Sequence, residues 1–135
     1  MANGAASLGR KVTMFFTFWG LNIIRKPEKV HVGKSIFEKM FGMMMPRGSR
    51  KLGLSRMNMF GAGSKMIRGI MKSKGISSLE ELIEAARDHG VRLVACQMSM
   101  DVMGIRQEEL IDGVELGGVA TFIGSGETSD ISLFI

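Results

Sequence analysis

The stretch "SSLEELIEAARDHGVRLVAC" (residues 77–96) limits the possible folds more than any other part of the chain. Ser78 followed three residues later by Glu81 is a capping box, in which each side chain satisfies an orphan backbone N–H at a helix start. Leu79, Leu82, Ile83 and Ala86 then recur at the spacing of a helix with one buried face, and Gly90 supplies the left-handed backbone that ends it. "VRLVAC" begins at once and is apolar except for Arg92. Such a run suits a strand covered on both faces, the pattern of a parallel sheet under helices. A helix feeding a doubly buried strand with almost no loop predicts an α/β domain with a mostly parallel sheet.

The rest of the chain extends this pattern. "KVTMFFTFWG" (residues 11–20) is a strand-length apolar run ended by glycine, and Pro27 forces Lys26 out of helical geometry. Ser35 opens a helix with Ile36, Phe37, Met40, Phe41 and Met44 on one face, stopped by Pro46. "RGSRKLGLSRMNMFGAG" (residues 47–63) reads as a basic, glycine-rich loop. A helix from about Ser64 to Gly75 would bury Met66, Ile67, Ile70 and Met71. After Cys96, "QMSMDVMG" reads as a loop, "RQEELI" as a short helix, "GVELGGVATFI" as a glycine-containing helix and "ISLFI" as a last strand. The piece "VATFI" also suits a strand, and "GSGETS" suits a turn. "MANGAASLG" has the form of the second half of a helix with Gly9 as its stop, so the chain reads as starting within an element.

A chain of 135 residues is expected to form one domain with its own core. Its single cysteine excludes an internal disulfide, which favours a reducing, cytoplasmic location. Met1 to Gly9 lacks the charged start of a secretory signal. The apolar run "MFFTFWGLNII" is far shorter than the roughly 20 residues that span a bilayer. Charge is divided along the chain: residues 1–74 hold 15 Lys and Arg against two acids, and residues 75–135 hold three Arg against 11 acids. The basic half fits an acidic partner, a phosphate-bearing ligand or anionic lipid, and equally the acidic half of the same or another copy. No nucleic-acid motif accompanies it, so no nucleic-acid partner is expected.

Cys96 falls at the carboxyl end of its strand, where ligands and reactive groups gather in open parallel sheets. A thiol beside helix N–H groups, near Arg106, is stabilised as the thiolate. The competing reading is an inert buried cysteine, since free cysteine is among the most buried residue types. A cysteine protease needs a histidine base. His89 lies at the opposite end of the strand and suits the C-terminus of its own helix, and His31 sits in an unplaced connection. One Cys and two widely spaced His do not make a zinc site, and a dithiol oxidoreductase would need a second cysteine. What remains is chemistry for one sulfur and an external thiol: carriage of a persulfide, or reaction with peroxide. Both call for an open crevice and a docking surface.

The motifs "VTMFFTFWGLN", "EKMFGMMMPRG", "SLEELIEAARDHGV", "ACQMSMDVMGI" and "EELIDGVELGGVATF" resemble the DsrE/DsrF-like sulfur-relay family. More narrowly they resemble its peroxiredoxin-like branch, which includes domains fused to CoA-disulfide reductases. The resemblance covers Ala2 to Ile135. It implies a three-layer α/β/α sandwich, usually a homo-oligomer, and a sulfur carrier or sulfurtransferase whose loop cysteine holds a persulfide, without a cofactor or metal. That cysteine is Cys96. Ser99, Asp101 and Gly104 match the branch's loop motif, and Trp19 and Gly20 would face the same crevice, with Arg106 nearby. A rhodanese-like, TusA-like or CoA-persulfide system would supply or accept the sulfur. The Thr-x-x-Cys pattern of true peroxiredoxins is absent, which makes a thiol-dependent peroxidase the weaker alternative. Family members begin with a strand and half a helix ahead of "ANGAA". The resemblance therefore leads to the expectation of a single domain, 1–135, truncated at its N-terminus and lacking the family's first strand.

Residues 34–74 hold ten Lys and Arg, one acid and eight of the 13 methionines. Adaptable Met side chains among steering charges suit a docking surface, which makes a non-catalytic interaction module the rival function. Contact with an anionic membrane surface is a further reading. Met40, Met44, Met66 and Met71 have helical spacing and fit a core stripe instead; Met43, Met45, Met57 and Met59 do not. "GAGSK" could present N–H groups and Lys65 to a phosphate, although it lacks P-loop spacing and suits a flexible helix entry better.

Overall fold

A computed structural model describes residues 1–28, 30, 32, 33, 36, 40, 44–51, 61–131 and 133. Three strands, β1 (Thr13–Phe16), β2 (Arg92–Cys96) and β3 (Val114–Gly117), form one parallel sheet in the order β1-β2-β3. Among the described residues the helices that accompany them include α1 (Ala2–Ser7), α2 (Ala62–Ser73), α3 (Leu79–Asp88), α4 (Gln97–Met103) and α5 (Val119–Glu127). Short 3₁₀ turns lie at Phe18–Asn22, Ser49–Lys51 and Gln107–Glu109. The register pairs Phe16 with Ala95, and Cys96 with Gly117. Alternation along the strands then separates two faces. Met14, Phe16, Leu93 and Ala95 join the main core, which also takes in Ala86 of α3 and Met100 and Met103 of α4. The other face carries Val94, fully buried, and Phe15, whose ring meets Phe122 of α5 at 5.4 Å. Helices on both faces of a parallel sheet make this an α/β/α sandwich, as the doubly buried "VRLVAC" required.

The capping box of α3 is present in full: Glu81 N–H donates to Ser78 Oγ at 3.2 Å, and Ser78 N–H to Glu81 Oε2 at 2.7 Å. α1 lies beside α3, tied by the Asn3 side-chain amide to the Leu82 carbonyl at 2.9 Å. Gly9 ends α1's turn with φ 73.

Several expectations are corrected. "QMSMDVMG" is a helix rather than a loop, and it starts directly on Cys96. Val114–Gly117 is a strand, because its backbone extends β2's ladder, while "VATFI" and the glycines of "GSGET" are helical in α5. The apolar stripes are shallower than their spacing suggests. Ile36, Met40, Met44, Met66 and Ile70 are at least half exposed, and Leu79 and Leu82 are also exposed, because the narrow sheet offers its covering layer to Ile83 and Ala86 first. The greater part of the helix expected from Ser35, residues 52–60 of the basic loop, and residues 132, 134 and 135 of "ISLFI" lie outside the described residues, as does His31; Ile131 and Leu133 are exposed and belong to no strand.

A buried ionic cluster joins the connection after β1 to the turn before β3. Glu109 Oε1 accepts from Arg25 Nη2 at 2.9 Å and from Arg47 Nη2 at 2.8 Å; Arg25 and Glu109 are fully buried at their side chains. The backbone follows the same path, with Lys26 N–H on the Glu109 carbonyl at 2.7 Å and Ile111 N–H on the Ile24 carbonyl at 2.9 Å.

Candidate functional site

Cys96 is the last residue of the central strand and the N-cap of α4. A parallel sheet delivers its strand ends to one edge, so the register brings two further residues there: Thr17, one past Phe16, and Gly117. Gly117 has no room for a side chain, since a Cβ would lie 2.7 Å from Val94 Cγ1 and 3.0 Å from Thr121 Cγ2. It lets α5 approach the sheet beside the thiol.

Ser99 Oγ and Thr17 Oγ1 are 2.8 Å apart beside this strand end. Burial pushes the Cys96 thiol up, but the neighbouring polar groups of Ser99, Thr17 and Met98, the Ser99 hydroxyl foremost, outweigh it and hold the thiol below its ordinary value. The residue keeps 7 % of its surface open. Cys96 is thus a buried thiol with polar rather than wholly apolar neighbours.

The expected residues divide around this point. Ser99 lies in the first turn of α4 beside the thiol, and Gly104, at φ 62, is the left-handed cap that ends α4. Asp101 is exposed on α4. Trp19 and Gly20 lie on the 3₁₀ turn after Thr17; Trp19 is 62 % exposed, and neither belongs to the thiol's partners. Arg106 stands at the far end of α4, about 10 Å along the axis, where its N–H donates to Glu109 Oε2 at 3.0 Å. The polar neighbours of the thiol are thus neutral groups rather than the expected Arg106. The open crevice is also corrected. Concavities of about 440 Å³, lined by Glu84, Arg87, Asp88, Val91 and Gly113, and about 370 Å³, lined by Lys26, Leu110 and Val114 among others, lie away from Cys96. At the thiol, α4 starts without a loop, directly on the buried Cys96. His89 caps α3 at the opposite end of β2.

Thr17 was not singled out from sequence, because nothing local marks it; the signal is its place one residue past a parallel strand. Phe18, next to it, has φ 42, the only positive φ among described non-glycine residues. Phe18, Trp19, Met98 and Val102 are all more than half exposed. No group of three or more metal-binding side chains occurs among the described residues, and no helix among them is long and apolar enough to cross a membrane.

Residues 1–134 match the model of the DsrE/DsrF/DrsH-like family. Across its whole length the chain is 49 % identical to the uncharacterized protein YrkE of Bacillus subtilis, covering 84 % of that protein. It is 40 % identical to the sulfur carrier protein DsrE2 of Allochromatium vinosum, again over the whole chain and 86 % of the relative. With the motifs, the sandwich and the full-length match in agreement, the chain belongs to the DsrE/DsrF/DrsH-like family.

Proposed function

We propose that this protein is a sulfur carrier in which Cys96 takes up a sulfane sulfur as a persulfide and passes it to a partner thiol. The observation that carries the proposal is a thiol at the carboxyl end of the central strand, beside the Thr17 and Ser99 hydroxyls, that its polar neighbours hold below its ordinary value. Likeness to a sulfur carrier supports it. In the loading step the Cys96 thiolate attacks the outer sulfur of a donor persulfide. The new bond joins Sγ to that sulfur, the donor's S–S bond breaks, and the donor leaves as a thiolate. Unloading reverses these roles, and no net oxidation occurs. The same polar neighbours that favour the thiolate also favour a negatively charged terminal sulfur.

Such transfer needs a macromolecular or small-thiol partner close to the opening, of rhodanese-like, TusA-like or CoA-persulfide type. Exposed Phe18, Trp19, Met98 and Val102 offer apolar area for docking there. Exposed Val119, Phe122 and Ile123 on α5 support assembly as a homo-oligomer, and the reducing cytoplasm suits a free thiol. The test is intact mass after incubation with polysulfide. A gain of sulfur that disappears in Cys96→Ser and reverses with reductant is expected; folded protein that gains no sulfur overturns the proposal.

One observation favours a second reading. On α2, exposed Met66 and Ile70 lie among Lys65, Arg68 and Lys72, a stripe suited to an acidic partner. If this face is the functional part, partner binding persists unchanged in Cys96→Ser.

A further inference from the structure

A helix of 12 residues is at the lower limit of what holds together alone in water, and in proteins the packing of an apolar side stabilises it. α2 lacks most of that packing. Gly63 is its only buried residue, and Met66 and Ile70, one turn apart on the same side, are 60 % and 52 % exposed. Ile67 and Met71, next to them, are half-buried, while Lys65, Arg68 and Lys72 share the opposite side and are exposed. Apolar side chains along one side and cations along the other are the pattern of a helix that lies in a membrane–water interface.

The charge around α2 is of one sign. Residues 39–79 hold nine Lys and Arg and no Asp or Glu. Arg68 Nη2 donates to the Ser49 carbonyl at 3.2 Å and Nη1 to the Arg50 carbonyl. These bonds fasten α2 to the Ser49–Lys51 turn and bring exposed Arg50 and Lys51 to its flank. Lys65, Lys72 and Lys74 form no ion pair among the described residues. A protein partner is met differently: mixed charges fix the register of two surfaces, and aromatic anchors in pockets supply most of the affinity. α2 carries neither an acid nor an aromatic residue, and neither concavity described above includes any of its residues. A field of one sign beside a continuous apolar ridge suits a surface whose negative charge is spread out, with no register to match.

We propose that α2 docks on the anionic phospholipid surface of a membrane. Met66, Ile67, Ile70 and Met71 enter the boundary between headgroups and acyl chains. The stems of Lys65, Lys72 and Lys74 lie along that boundary with their ammonium groups at the phosphates. The helix rests on the membrane and does not cross it, in keeping with a length of about 18 Å. This binding is separate from the chemistry of Cys96, and Cys96→Ser is expected to bind as the wild type does.

The experiment is cosedimentation of the full chain with vesicles of phosphatidylcholine alone, and of phosphatidylcholine mixed equally with phosphatidylglycerol. Binding to the mixed vesicles only, weakening as salt is added, is expected. Met66→Gln/Ile70→Gln changes two exposed side chains and no charge, and is expected to bind about tenfold more weakly. Lys65→Gln/Lys72→Gln is expected to lose about thirtyfold, the worth of two cations at the surface. Arg10→Gln/Lys11→Gln removes two exposed cations from another part of the chain and is expected to stay close to the wild type. A chain that does not bind the mixed vesicles overturns the proposal. So does an undiminished Met66→Gln/Ile70→Gln, which means adsorption by charge alone, and so does an equal loss in Arg10→Gln/Lys11→Gln, which means that α2 is not the site. Soluble polyglutamate that binds the chain while the mixed vesicles do not assigns the face to an acidic protein and overturns it as well. Polysulfide loading reads the carrier proposal separately, so either can fail without the other.

Discussion

Phe18 has the least comfortable backbone in the described chain, and it sits one residue from the thiol's neighbour Thr17. A residue with a side chain held at φ 42 costs about 1–2 kcal/mol relative to right-handed geometry. Its ring is 57 % exposed, so little burial offsets that cost. Strain of this kind persists where the surroundings over-determine it, and here the sheet register on one side and the 3₁₀ turn on the other do so. Replacing it by glycine removes the strain but adds about 0.5–1 kcal/mol of unfolded-chain entropy. Phe18→Gly is therefore expected to melt at the same temperature as the wild type or slightly above it. A fall of several degrees in calorimetry would mean that the ring packs more than its exposure implies. At this scale the candidate site was half legible. Cys96 and Ser99 lie in one motif and could be read from it, whereas Thr17 comes to lie against Ser99 only through pairing between distant strands.

Among the elements, α3 and β2 were legible because their signals are local: a reciprocal cap, a stripe, a glycine stop and an unbroken apolar run. α4 has no side-chain cap, and β3 is four residues long with only Gly117 buried, so neither carried a pattern strong enough to read. The start of α3 also sets a pH dependence. Burial pushes the Glu80 carboxyl up, but its bond from the Ser49 hydroxyl, its own N–H, Ser78 and the nearby Arg50 outweigh this and hold it below the ordinary value. A carboxyl lowered by folding stabilises the native state fully above the ordinary glutamate value of about 4.3. That contribution is lost as pH falls through the lower, folded-state value. Glu80→Gln is expected to lower stability at pH 7 and to flatten the acid side of the stability profile, as read by urea denaturation between pH 3 and pH 7 (roughly the range that brackets the ordinary carboxylate value). An acid limb identical to that of the wild type would remove Glu80 from this role.

At the scale of the whole molecule, the Arg25–Glu109–Arg47 cluster fastens three separated stretches together. Two guanidiniums share one buried carboxylate, and Arg25 Nε and Arg47 Nη1 have no hydrogen-bond partner among the described residues. Burial accordingly lowers the Arg25 pKa despite its bond to Glu109. Neutralising the single acid leaves two cations facing each other out of water. Glu109→Gln is expected to cost about 3–5 kcal/mol, measured by urea denaturation; a cost under about 1 kcal/mol would show that the cluster is not a fastener. None of this was visible in the sequence, where Arg25 and Arg47 look like members of a solvated basic half. The overall sandwich was visible, because a doubly buried parallel strand admits few other solutions. The pairing of Thr13 with Arg92 has a temporal consequence as well. Bringing residues so far apart together carries a loop-closure cost that local contacts do not. Until β1 docks, Cys96 is an ordinary, solvent-exposed sulfhydryl, and its polar setting is a property of the completed sheet alone.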